Sequence, residues 1–283
     1  MNNKTKIMLG LSVLTAGTLA AGATGTLAWF TTNKTATATY NNITAASTTG
    51  NLKASIAGVT DKDAKSDYDY NVTAEGTNSK TADVSSQDGL TFGQPEWIGV
   101  AGNTAGTKIQ GVKQVYGKNG YFTQYTVSLQ NVAVKGDNAA IKVSLTGVTI
   151  SGDTPLTGWT RVAINTKTTI NEDNQSLVSA AGNETYLYQT ASITEQNKYT
   201  PILDNKTETT IDAATTTVSD SIHMATAQDV LENPVILENS LGSSGTSTIT
   251  IGVSVWMEGT MADQDAAKGQ SVNVKLTFKG EEK

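Results

Sequence analysis

The stretch Thr246-Ser247-Thr248-Ile249-Thr250-Ile251-Gly252-Val253-Ser254-Val255-Trp256-Met257 sets Ile249, Ile251, Val253, Val255 and Met257 on one face of an extended chain. Thr248, Thr250, Gly252, Ser254 and Trp256 fall on the other. Successive side chains of a strand point to opposite faces, so this alternation predicts a strand with one face in a core and one toward solvent. Ser271 to Lys279 repeats the pattern, with Val272, Val274, Leu276 and Phe278 alternating with Asn273, Lys275 and Thr277. Runs of the same character occupy Gly120 to Val134, Ala140 to Ile150, Trp159 to Ile164 and Tyr186 to Ile193. Turn formers such as Lys135-Gly136-Asp137-Asn138 separate them.

Working outward, Thr, Ser, Ala, Val, Gly and Asn dominate, a composition suited to pleated surfaces and turns rather than helices. The expected fold class is all-β, a jelly-roll-like antiparallel β-sandwich with polar insertions and one short helix. That helix is placed over Ser221 to Asn233 and ended by Pro234. The insertions are Asp61 to Asp88, read as an excursion over the surface, and Thr166 to Glu184. Both are long for loops in a compact domain, which leaves short hairpins, binding function or disorder as their content.

The first 28 residues read as an export signal. Lys4 and Lys6 form a positive head, residues 7 to 19 are mainly apolar and uncharged, and small residues crowd Gly17 to Ala28. Cleavage after Ala23 or after Ala28 fits the small-residue rule. Gly10, Gly17, Gly22 and Gly25 dilute the apolar run below what a stable spanning helix needs. The expected location is therefore secreted, at the cell surface or in an extracellular matrix. The chain ends in Lys279-Gly280-Glu281-Glu282-Lys283, with no Leu-Pro-x-Thr-Gly sorting motif, so covalent wall anchoring is not expected.

Charge and composition exclude several classes. With 20 basic against 26 acidic residues, a net charge of −6 and Arg161 as the one arginine, the surface repels phosphate backbones, and nucleic acid is not an expected partner. Cysteine is absent, which removes thiol catalysis, thiolate metal sites and disulfide stabilisation. His223 is the only histidine, so neither a His-x-x-x-His zinc pair nor a His-rich catalytic zinc site can be assembled within one chain. A Ser-His-Asp triad would have to use His223, yet no Gly-x-Ser-x-Gly elbow presents a nucleophile. The expectation is no enzyme, no catalytic residue and no cofactor.

Two acidic clusters are weak metal candidates. Asp61, Asp63, Asp67 and Asp69 alternate as EF-hand ligands do, but Lys65 stands where an oxygen ligand belongs and Ser66 where glycine does. Glu258, Asp263 and Asp265 offer three carboxylates between the last two strands. For both, a solvated loop is the expected reading. Six Asn-x-Ser/Thr sequons follow the leader, at Asn33, Asn42, Asn71, Asn174, Asn183 and Asn205.

The leader ending Gly25-Thr26-Leu27-Ala28-Trp29-Phe30-Thr31, a Thr/Ala stretch, and then Ala46-Ser47-Thr48-Thr49-Gly50-Asn51-Leu52-Lys53-Ala54-Ser55-Ile56 resemble the amino end of the TasA and camelysin family of biofilm matrix proteins. Val253 to Thr260 followed by Gly269 to Phe278 is similar to the closing strand pair of that family's wider relatives. The likeness covers both ends of the chain, while Asn71 to Gly120 and Thr166 to Thr217 resemble nothing specific. It implies a jelly-roll subunit cut after Ala28 by a dedicated signal peptidase. Residues 1–28 are then the signal, 29–45 a donor-strand segment, and 46–283 the sandwich domain. It also implies extracellular fibres, in which the new amino terminus completes the sheet of the next subunit.

Residues 29 to 40 suit that role. Ala36, Ala38 and Tyr40 alternate with Thr35, Thr37 and Thr39, behind the aromatic pair Trp29 and Phe30, so one face of an extended segment can enter a groove. The expected partners are identical subunits in a homopolymer, other matrix proteins, and signal peptidase during export. A monomeric surface adhesin or surface-layer component is the alternative. Camelysin was named as a metallopeptidase, an activity that one histidine and no metal motif do not support.

Overall fold

The computed structural model describes residues 37–39, 43–47, 52–69, 71–72, 77–78, 84–97, 108–132, 139–154, 156–190, 209–210, 220–243, 247–258 and 270–283. The strands begin with β1 (Thr37–Thr39), β2 (Ile43–Ser47), β3 (Leu52–Gly58), β4 (Asn71–Val72), β5 (Thr77–Asn78) and β6 (Phe92–Trp97). They continue with β7 (Lys108–Val115), β8 (Thr123–Asn131), β9 (Ile141–Gly152), β10 (Thr160–Asn165), β11 (Thr168–Asn171) and β12 (Ser176–Ser179). The last six are β13 (Thr185–Gln189), β14 (Thr209–Thr210), β15 (Ile222–Thr226), β16 (Val235–Leu241), β17 (Thr248–Met257) and β18 (Ser271–Glu282). The fold is all-β, and the α-helix among the described residues is the single turn Leu156–Trp159.

Two sheets face each other. The first runs β16-β9-β18-β1-β5, with β2 also on β18 and β4 on β2; the second runs β15-β13-β10-β17-β8-β3. The backbone of the first is the β9/β18 pair, antiparallel from Val272↔Gly152 to Glu282↔Ile141 with one irregularity at Thr277/Phe278. Inward side chains of both sheets meet in one core. Leu52, Ile56, Tyr125, Val127, Leu129, Val162, Ile164, Val253 and Val255 come from one side, and Val143, Leu145, Val148, Val272, Val274, Leu276 and Phe278 from the other. The sandwich is mostly antiparallel, but β1 and β2 run parallel to β18, and β15 runs parallel to β13.

β18 alternates buried and exposed residues through Phe278, as its sequence predicts, because its outer face is open. β17 does not. Its outer residues are exposed at Thr248 and Thr250, and from Ile251 onward every residue of the strand is buried. β8 loses its alternation at the facing end, and every residue of β10 is buried. Trp256 and Ser254, read as solvent-facing, are therefore interior.

The cause is a third layer built from the two insertions. The β11/β12 hairpin lies over Gly252, where an added Cβ would stand 2.8 Å from Leu177 Cδ1 and from Thr168 Oγ1. Residues 84 to 92 form a strap beside it. Asp88 Oδ1 accepts from the backbone N–H of Leu90 and Thr91, and Ser86 Oγ accepts from Gly89 N–H, closing a tight turn. Gly89 holds φ +67°, and a Cβ there would lie 2.4 Å from that of Ala163. Beneath the strap sits a second apolar cluster of Val84, Phe92, Val115, Phe122, Ala163, Leu187 and Trp256. Phe92 stacks on Phe122 at 3.7 Å and meets Trp256 edge-on at 5.4 Å.

The helix expected over Ser221 to Asn233 is not formed. Ile222–Thr226 is the strand β15, aligned with β13 from Thr185↔Ile222 to Gln189↔Thr226. Met224, Ala225, Ala227 and Gln228 favour a helix locally, but an isolated helix of that length is marginal without an apolar face to bury. A sheet edge beside β13 supplies backbone partners instead. Val148 N–H donates to Gln228 O, and Leu231 N–H to Thr146 O, carrying the chain into β16.

Candidate functional site

The amino-terminal segment lies along the edge of β18. In β1, Thr37, Ala38 and Thr39 align in parallel with Ser271, Val272 and Asn273; in β2, Ile43 through Ser47 align with Leu276 through Gly280. The register slips by one residue between the two stretches, which pair with β18 at 271 to 273 and at 276 to 280. Its other side is also paired, β1 with β5 through Ala38↔Asn78 and β2 with β4 through Ile43↔Val72. Of the donor-strand residues expected from sequence, Ala38 is thus aligned with Val272, while Trp29, Phe30, Ala36 and Tyr40 lie outside the described residues. β3 follows at Leu52 in the opposite sheet.

The open face of β18 carries a charged cluster at its carboxyl end. Glu281 meets Lys142 on β9 at 3.0 Å and Lys279 at 2.6 Å. Hydrogen bonds from Lys279 and then Lys142 hold the Glu281 carboxyl down to about 2 from an ordinary 4.5. A folded value below the unfolded one means that the pairing favours the folded state above about pH 4.5 and that this contribution fades as pH falls through 2. Solvent exposure keeps it small. A carboxyl NMR titration should find the Glu281 midpoint near 2 in the wild-type chain and closer to 4.5 after Lys279→Met with Lys142→Met. An unchanged midpoint in the double variant would refute the pairing. The neighbouring depression of about 530 Å3, lined by Lys142, Asn239, Glu281, Glu282 and Lys283, is open and mixed in charge.

The acidic candidates are dispersed. Asp61 Oδ1 accepts from Asp63 N–H, and Asp69 exchanges backbone hydrogen bonds with Ala54, so the 61–69 segment is stitched to β3 rather than wrapped around a centre. Glu258 is turned inward, 2% exposed, with its Oε2 accepting from Trp256 Nε1 at 3.2 Å. Asp263 and Asp265 lie outside the described residues. No group of three or more His, Asp or Glu side chains placed to hold a metal ion occurs among the described residues.

His223 stands on β15 with Nε2 2.9 Å from Glu184 Oε2 and its ring stacked on Tyr186 at 4.8 Å. That geometry ties β15 to β13. Burial, and then the Glu184 charge, push the Tyr186 hydroxyl above its ordinary value. Among the sequons, Asn183 uses its side-chain amide internally, donating to Asn165 Oδ1 at 2.8 Å.

Sequence reasoning missed the polar ties of the third layer. Gln124, wholly buried on β8, donates through Nε2 to Gly89 O and Ser254 Oγ, and its Oε1 accepts from Leu177 N–H. Asn165 donates to Asp88 O and accepts from Thr185 Oγ1. The one available signal was a tryptophan on a supposed solvent face. Searches of protein-family models, curated proteins and solved structures find no match to the chain.

Proposed function

We propose that the chain is a secreted structural subunit that assembles into extracellular biofilm matrix fibres, as the resemblance to the TasA and camelysin family implies, by passing its amino-terminal segment to the next subunit. The observation that carries this reading is the seating of Thr37–Thr39 and Ile43–Ser47 on β18. The segment is held by strand pairing at Thr37–Thr39 and Ile43–Ser47, the form of an element that can be exchanged between copies. Such head-to-tail contacts do not close on themselves, so they propagate as filaments.

The jelly-roll part of the proposal is supported by strand order. β16-β9-β18-β2 faces β13-β10-β17-β8, and the chain changes sheet at β8 to β9, β9 to β10, β16 to β17 and β17 to β18. The test is electron microscopy of two purified chains, one starting at Trp29 and one lacking residues 29 to 47. Filaments are expected from the first and none from the second. Filaments from the shortened chain would refute donor-strand assembly.

A further inference from the structure

We infer that β15 is a self-pairing edge: two copies of the chain join through it, antiparallel about a two-fold axis at Met224, so that their second sheets become one. The inference does not rest on the fibre reading, because β15 lies in the sheet opposite β18. The other lateral edges of the sandwich are guarded among the described residues. β3 is covered by the 61–69 segment, where Ala54 and Asp69 exchange backbone bonds, Gly58 N–H donates to Ala64 O, and Ser66 N–H donates to Ile56 O. β16 is broken twice in register, at Ile236/Glu238 and Glu238/Leu241, and carries Glu238 at the break. β1 and β2 are covered by β5 and β4. Bulges, charges and covering segments are the devices that stop sheets from joining edge to edge. β15 has none of them. Ile222–Thr226 pairs with β13 in unbroken register, and its far side meets no strand among the described residues.

Backbone register makes this edge complementary to itself. Thr185 N–H donates to Ser221 O, and Ala227 N–H donates to Gln189 O. Alternate residues of a ladder turn to the same neighbour, so Ser221, His223, Ala225 and Ala227 point their backbone groups to β13. Those of Ile222, Met224 and Thr226 point away, into the open side. Antiparallel pairing centred on Met224 sets that residue against Met224 of the second copy, and Ile222 against the second copy's Thr226. Every outward N–H then meets an outward C=O, the hydrogen-bonded pairing of an antiparallel ladder. Charge permits a like copy here. Chains of net charge −6 repel one another, yet Ser221 to Gln228 holds no lysine, arginine or carboxylate, and Asp220 and Asp229 stand only at its two ends. The side chains add apolar contact, since Met224 is 38% exposed and aligned with buried Leu187. His223, bonded to Glu184 and stacked on Tyr186, holds the strand in place. A two-fold contact closes at two copies, which separates it from the open head-to-tail contact of filaments.

Sedimentation of the chain starting at Trp29, at rising concentration, should show a monomer–dimer step. Met224→Lys sets two ammonium groups against each other on the axis and should weaken that step about tenfold or more, with the circular dichroism spectrum and melting temperature unchanged. Because the chain has no cysteine, a single introduced thiol can bridge only to a second copy. In the inferred pair the two Met224 Cα atoms lie about 5.5 Å apart, inside the roughly 4.4–6.8 Å that a disulfide spans. Met224→Cys should therefore oxidise to a covalent dimer at a concentration where Val230→Cys, at a position 76% exposed, stays monomeric. A dimer that Met224→Lys leaves intact, or equal cross-linking at both positions, would overturn the inference, as would a monomer at every concentration. An open-ended series of species that Met224→Lys does not alter would also overturn it, while leaving head-to-tail assembly standing.

Discussion

Glu258→Gln should cost the fold about 1 to 3 kcal/mol, the range for disturbing a buried charged hydrogen-bonding group, because it removes a buried carboxylate whose charge favours the Arg161 cation. Arg161 is wholly buried, its Nη1 donating to the carbonyls of Gly158 and Thr160 at 3.0 and 3.1 Å. Burial pushes the guanidinium pKa down, and the charge of Glu258 pushes it back up. Glutamine keeps the shape of the side chain and an oxygen for Trp256 Nε1, and it removes the negative charge. Urea denaturation of both chains measures the loss. Adding Arg161→Met should recover part of it, since the buried cation that the Glu258 charge favours is then gone, although the two carbonyls lose their donor. A loss below about 1 kcal/mol, or no recovery in the double variant, would show that Glu258 does not neutralise Arg161.

That site shows where pattern reasoning succeeds and where it stops. Period-two alternation identifies β18 and the inner face of β17 because burial on one side of a sheet repeats every second residue. The same logic points the outer face of β17 toward solvent. Trp256 and Ser254 are interior because distant polar segments return to cover them, and the Ser254 to Gly89 and Gln124 to Leu177 ties have no sequence period. The Thr166 to Glu184 insertion reads equally as hairpin, binding loop or disorder from its sequence; it is a hairpin in which Leu177 and Ser176 are both buried. Alternation at Thr35 to Tyr40 marks an extended segment but carries no information about its partner. The parallel seat on β18, more than 230 residues away in the chain, comes only from the fold.

Gln124→Leu should separate the third layer from the sandwich without dissolving the latter. Leucine has similar bulk and no polar group, so the Leu177 N–H is left buried without its acceptor, while Gly89 O keeps Ser254 Oγ as a donor. An orphaned buried donor together with the lost bonds amounts to about 2 to 4 kcal/mol. The damage should be local, because Gln124 is a side chain of the second sheet's outer face and its inward neighbours Tyr125 and Val127 are untouched. The hairpin keeps other anchors, including Gly117 N–H to Ser176 Oγ at 2.8 Å and the exposed Lys62 to Glu172 pair, but neither reaches across to β17. Amide exchange should therefore quicken at Leu177 and at Gly89 to Thr91, and protease should cut within residues 168 to 179 before the β9/β18 amides lose protection. Wild-type protection at Leu177 in the variant would mean that apolar contact over Gly252, rather than the Gln124 tie, holds the hairpin down.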